Sequence, residues 1–262
     1  KVSQNSEWLR GRKLLINPEV LGPLHTSTHQ ARNLVKQYSL PFPITSLYLI
    51  PKESLAFVDE RLNYQKDIFK EKVEAFVATF DLAREEAKRH LGDLFNEADY
   101  PMDIQSKFRF NWQYISIDVP GKGKILSPEV YEREKKKFED MMTEARDMAA
   151  VALREEFAEI VNNLVEKLSK DSSQPKTIKS SMFHKLQEFL TDLTTRNIFD
   201  DQKLTELATL ARDTISGISP YGLNYNAQMK ERIKTAMTTL NNAIKDSIED
   251  LPKRKIRLAL AA

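Results

Sequence analysis

From Pro51 onward the apolar residues Leu55, Val58, Leu62, Phe69, Val73, Phe76, Phe80, Ala83, Ala87, Leu91 and Leu94 recur mostly three or four positions apart. That spacing lines one face of an α-helix. One helix over residues 51–96 is expected, about 45 residues or roughly 65–70 Å at 1.5 Å per residue. Pro51 suits a first helical turn and Pro101 is the expected stop. A second run opens at Ser127-Pro128-Glu129, where a hydroxyl cap, a proline and an early acid form a start signal. It continues through Tyr131, Phe138, Met142, Ala145, Ala149, Ala152, Ile160, Leu164 and Leu168 and ends before Pro175. Two long helices of matched length predict an antiparallel, coiled-coil-like hairpin over residues 51–170.

The flanking segments follow other patterns. Residues 1–50 form a mixed cap: a helix over Thr26 to Tyr38, an irregular Leu40-Pro41-Phe42-Pro43 where two prolines oppose regular structure, and a strand over Ile44 to Ile50. A polar linker, Asp171 to Thr177, precedes three amphipathic helices in 178–262, expected to pack on one end of the hairpin. The first carries Met182, Leu186, Phe189, Leu190 and Leu193. The second runs from near Asp200 through Leu204, Leu207, Leu210 and Ile215, and the third from Met229 through Ile233, Met237, Leu240, Ile244 and Ile248 to Pro252. Between the long helices, Phe108, Phe110, Trp112 and Tyr114 alternate with Arg109, Asn111 and Gln113, which puts four rings on one side of a strand. With the turn Pro120-Gly121-Lys122-Gly123-Lys124 and a return at Ile125-Leu126, residues 107–126 are expected to form a small β tip. The fold class is therefore mostly α, a long helical hairpin with a β tip and a C-terminal helical bundle.

Composition agrees with long exposed helices, since the 262 residues hold only seven glycines while 30% are charged. The absence of cysteine excludes a disulfide framework, zinc thiolates, iron–sulfur clusters and a cysteine nucleophile, and suits a reducing compartment. No run reaches the roughly 18 apolar residues of a membrane span, and Lys1 to Arg12 lack the apolar core of a signal peptide. A cytoplasmic protein with no membrane partner is expected. The sequence begins with Lys1 rather than Met and reads as a trimmed product.

Candidate chemistry is sparse. His25 and His29 have ligand-like spacing but no supporting acid, so they read as surface histidines, while His90 and His184 lie on expected helices beside charged residues and read as solvated or cap positions. Asp200-Asp201 fall where a helix begins and read as caps. Gly121-Lys122-Gly123-Lys124 lacks the strand-to-helix setting of a phosphate loop, and no hydrolase elbow or dinucleotide fingerprint occurs. The expectation is a non-catalytic protein without metal or cofactor. The net charge is +2, yet residues 51–96 carry eight basic against ten acidic residues and 127–170 eight against eleven. The positive excess lies in residues 1–50, six against two, and in the tail with Lys253, Arg254, Lys255 and Arg257. That tail is the candidate nucleic-acid contact. Phe108, Arg109, Phe110, Trp112, Tyr114, Lys122 and Lys124 are the candidate partner-binding residues, with an exposed strand edge inviting another chain. Self-assembly is preferred and a foreign protein comes second. A stacking platform for single-stranded nucleic acid is the competing reading of the same rings.

Several of these segments together carry a resemblance: Tyr100-Pro101 before Phe108-Arg109-Phe110, Ser127-Pro128, Arg154-Glu155-Glu156-Phe157, Leu164-Val165-Glu166-Lys167-Leu168 and Arg196-Asn197-Ile198-Phe199-Asp200-Asp201. From about Pro51 to the end the chain resembles an uncharacterised family of bacterial and phage proteins, the domain of unknown function numbered 3150. The resemblance implies an accessory role beside a MoxR-like AAA+ ATPase and a von Willebrand A-type protein, in a bacterial or phage-infected cell, and supplies no catalytic residues. A structural or adaptor protein acting by homo-oligomer formation or protein contacts is the favoured function. The alternative is a nucleic-acid-binding accessory of a phage or mobile element.

Overall fold

The computed structural model describes residues 13–118, 127–169 and 178–251, which divide into two compact units. One takes the residues up to Gln37 together with Leu55–Ser116; the other takes Tyr38–Ser54 and the residues from Ile117 onward. Most of the described chain is helical, with one two-stranded antiparallel sheet. No helix among the described residues is long and apolar enough to cross a membrane.

In the first unit, Asn17 Oδ1 accepts from Glu19 N at 3.1 Å and opens a single turn over Pro18–Leu21. This turn runs into α1, Gly22–Tyr38. The helix starts four residues before the expected Thr26, because Pro23 in its first turn lacks only an N–H that would have no helical partner there. Helix α2, Leu55–Leu91, is 37 residues long and buries Val58, Leu62, Val73, Phe76, Phe80, Ala83 and Ala87. It ends ten residues before Pro101, at Gly92 with φ +50°. A glycine adopts this left-handed conformation without the clash that a Cβ brings, so it stops the helix before any proline is needed. The unit's core joins Leu24 of α1 to Val73, Phe76, Phe80 and Ala87 of α2 and to Tyr100. The Tyr100 hydroxyl donates to the Leu15 carbonyl at 2.6 Å, and Lys13 pairs with Asp99, so the N-terminal segment is tied to the turns after α2.

In the second unit, α3 spans Pro128–Ser169, with Ser127 Oγ accepting from Val130 N at 3.4 Å. Burial on α3 begins only at Ala145 and then takes in Ala149, Leu153, Arg154, Phe157, Ala158, Val161, Leu164 and Leu168. Against these pack α4 (His184–Arg196), α5 (Gln202–Ile215) and α6 (Ala227–Glu249), with Phe157 stacked on Phe189 at 5.0 Å. Strand β1, Leu40–Pro41, pairs with β2, Tyr48–Leu49, in the register Leu40 with Leu49 and Pro41 with Tyr48. Two expectations change here. Pro41 does enter a strand, because each strand of a two-stranded sheet is an edge and can face its missing donor outward. The strand expected over Ile44 to Ile50 shrinks to two residues, since Ser46 with φ +68° and a Leu47 N–H to Ile44 carbonyl bond of 3.1 Å turn the chain instead.

Candidate interaction site

The expected β tip does not form among the described residues of 107–126: a single turn over Gln105–Lys107 is followed by residues 108–118 with no strand. The alternation of rings survives for a different reason. Phe108 sits 5.4 Å from Phe76 and 6.5 Å from Phe69, Phe110 lies 5.6 Å from Phe69, and Trp112 meets Phe110 edge-on at 5.8 Å. Trp112 Nε1 then donates to Asp59 Oδ1 at 3.0 Å, under the Lys66 ammonium at 5.6 Å. While the chain moves forward from Phe108 to Tyr114 its contacts move backward along α2 from Phe76 to Asp59. Seventeen helical residues span about 25 Å and six extended residues about 20 Å, so this stretch must run almost fully extended and antiparallel to the helix. Any extended chain places alternate side chains on opposite sides, whether its neighbour is a strand or a helix.

Asp59 is the anchor. Besides Trp112 it accepts from Asn63 Nδ2 at 3.1 Å and hydrogen-bonds Tyr114. Burial, and after it that carboxylate, raise the Tyr114 hydroxyl above its usual pKa. Nothing in the helical periodicity marks Asp59 or Lys66, which fall on what reads as a solvated face of α2. Phe108, Phe110 and Trp112 are half-buried; Arg109, Asn111 and Gln113 are exposed between them. From Tyr114 the strap leaves cover, with Ile115 54% and Ile117 38% exposed. Among the described residues the backbone of 109–117 makes no hydrogen bond to other backbone. Lys122, Lys124, Lys253, Arg254, Lys255 and Arg257 lie outside the described residues.

The second concentration of polar groups is in the other unit, where two of the sequence segments singled out above come together. Arg154 on α3, 6% exposed, donates from Nε and Nη2 to both Asp201 oxygens at 2.9 and 2.7 Å, and from Nη1 to the Ser247 carbonyl. Arg196 at the end of α4 holds Glu156 of α3 through a second fork at 3.0 and 2.6 Å. The corner between α4 and α5 is braced by Asn197, whose Oδ1 accepts from Asp201 N at 2.8 Å while Asp200 takes φ +54°. Asp201 also caps α5 by accepting from Leu204 N at 3.1 Å, the capping role its position suggested. Asp192, beside Arg196, is raised in pKa mainly by burial, against the opposing pull of that guanidinium. A hollow of about 340 Å³ adjoins this corner. Arg154 and Arg196, which line it together with Arg146, are each held by a carboxylate fork, so the arrangement ties α3 to α4, α5 and α6.

His25 and His29 are both exposed on α1, and among the described residues no group of three or more His, Cys, Asp or Glu side chains could hold a metal ion. The two units thus define a mostly helical protein with an extended aromatic strap in the first and an ion-paired corner in the second. The family described as protein of unknown function (DUF3150) matches residues 9–212, and the chain belongs to it. No curated protein and no solved structure matches the chain.

Proposed function

We propose that the protein is a non-catalytic adaptor that binds through the strap, by self-association first and by contact with a foreign protein second. The observation carrying this reading is the backbone of residues 109–117, which is unpaired with other backbone among the described residues and includes the exposed Ile115 and Ile117. An extended segment whose N–H and C=O groups are free can accept an added strand, with main-chain bonds supplying affinity and alternate side chains specificity. The rings beneath hold the segment extended before binding, which lowers the ordering cost. The family resemblance adds a MoxR-like ATPase and a von Willebrand A-type protein as the foreign partners to try. Light scattering on the purified chain, and co-purification with such an ATPase, test it. Ile115→Asp/Ile117→Asp and Arg109→Pro should each weaken association at least tenfold with helix content unchanged. If both variants keep the parent's mass and partner binding, the strap is only a local core.

The antiparallel pairing of α2 with α3 belongs to the same reading. Spin labels at Glu60 and Glu166 should then lie much closer than labels at Glu60 and Glu132, and the reverse order rejects the hairpin.

A further inference from the structure

Helix α1 carries a charge pattern unlike that of the other helices. Its 17 residues include no Asp or Glu, while His25, His29, Arg32 and Lys36 follow at steps of four, three and four. At about 100° per residue these four fall within an arc of about 60°, with the buried Leu24, Ser27 and Ala31 on the other side. All four are exposed, and none joins an ion pair among the described residues. By contrast, His90 and His184 each stand beside a glutamate on their own helix, at 3.9 and 3.0 Å, and α2 to α6 all mix charge signs. Surfaces normally intersperse the two signs, and a single-sign stripe attracts an opposite charge.

We infer that the solvent face of α1 binds the phosphate backbone of a nucleic acid. From His25 to Lys36 the stripe runs about 16 Å, long enough to meet several successive phosphates of a duplex. One flank carries Thr26, Gln30, Asn33 and Gln37, all uncharged hydrogen-bonding residues that suit phosphate and sugar oxygens, and the other carries Thr28 and Val35. A helix that lies on a membrane instead turns an apolar face outward, and here that face is committed to the protein core. Phosphate contacts of this kind carry no base readout, so binding is independent of sequence.

The test uses the full chain, a fluorescein-labelled DNA duplex of arbitrary sequence, and anisotropy titrations at several salt concentrations. The parent binds at low salt. Arg32→Gln/Lys36→Gln weakens binding by about tenfold or more and lowers the log–log salt slope by about two, at roughly 0.9 for each phosphate no longer neutralised. Arg32→Lys/Lys36→Arg, which keeps the charge, binds like the parent, as does Lys185→Gln/Lys203→Gln, whose exposed lysines lie in the second unit. The inference is overturned if the parent fails to bind at low salt or if Arg32→Gln/Lys36→Gln binds like the parent. It is equally overturned if anionic vesicles hold the protein through this stripe and duplex cannot compete.

Discussion

Replacing Arg154 by leucine lowers the thermal midpoint by roughly ten degrees, the shift expected when about 3–5 kcal/mol is lost from a domain of this size. The cost does not come from the ion pair's own worth, since exchanging a buried pair for apolar groups is often nearly neutral. It comes from what the leucine leaves behind: Asp201, with its side chain 11% exposed, and the Ser247 carbonyl, both deprived of their donor. Adding Asp201→Asn removes the stranded charge while keeping a side chain able to cap α5, so the double variant should recover part of the loss. Arg154→Lys should not substitute, because one ammonium cannot form the fork that spans two carboxylate oxygens and a carbonyl. Thermal melts of these three variants decide it. An Arg154→Leu protein that melts within a degree or two of the parent shows that this guanidinium does not hold the corner.

Phe76→Asp collapses the first unit. Phe76 is 5% exposed and its ring meets Phe80 at 5.7 Å and Phe108 at 5.4 Å. A carboxylate in that place has no partner, and burying it costs several kcal/mol beyond the missing aromatic packing. The strap should loosen as well, because Phe108 loses its seat. Hydrogen exchange on the full chain should show protection falling across α2 and residues 108–114. Leu82→Asp, at a position 72% exposed on the same helix, should leave protection unchanged. Protection of α2 surviving in the Phe76 variant would overturn this account of the core.

A hydrophobic period encodes some features of this fold and leaves others unmarked. The α2 stripe is legible because its buried residues recur at helical steps over 37 residues. On α3 the period holds but the depth is shifted: Ile160 is only half-buried, whereas Phe157 and Val161 are fully buried. Apolar spacing identifies a face, and which of its members lie deepest depends on the partner helices. The end of α2 falls short of the expected one because prolines are conspicuous stops, whereas Gly92 acts through one backbone torsion. The aromatic segment is extended as its alternation predicts, yet it is not sheet, since period two reports chain extension and says nothing about the neighbour. The role of Asp59 is invisible in the sequence for a related reason, as its two aromatic partners lie 53 and 55 positions away and leave no local signature. The two arginine segments do stand out, but nothing in either one announces that its carboxylate partner is in the other.

The order in which the chain visits its two units limits how the protein can be divided. It builds α1, leaves the first unit at Tyr38 to add Tyr38–Ser54 to the second, returns for Leu55–Ser116, and then completes the second. A single cut near residue 117 would therefore strip the second unit of Leu40, 1% exposed in its core. Nor is the limit of the family match at residue 212 a natural seam. It falls inside α5 and omits α6, whose Met237 and Ile244 are fully buried in the same core. A fragment ending there would expose the apolar surface of α3 that α6 covers. Interleaved in this way, the two units are not exchangeable modules, and recombination would preserve both cores only by carrying the whole interleaved stretch together.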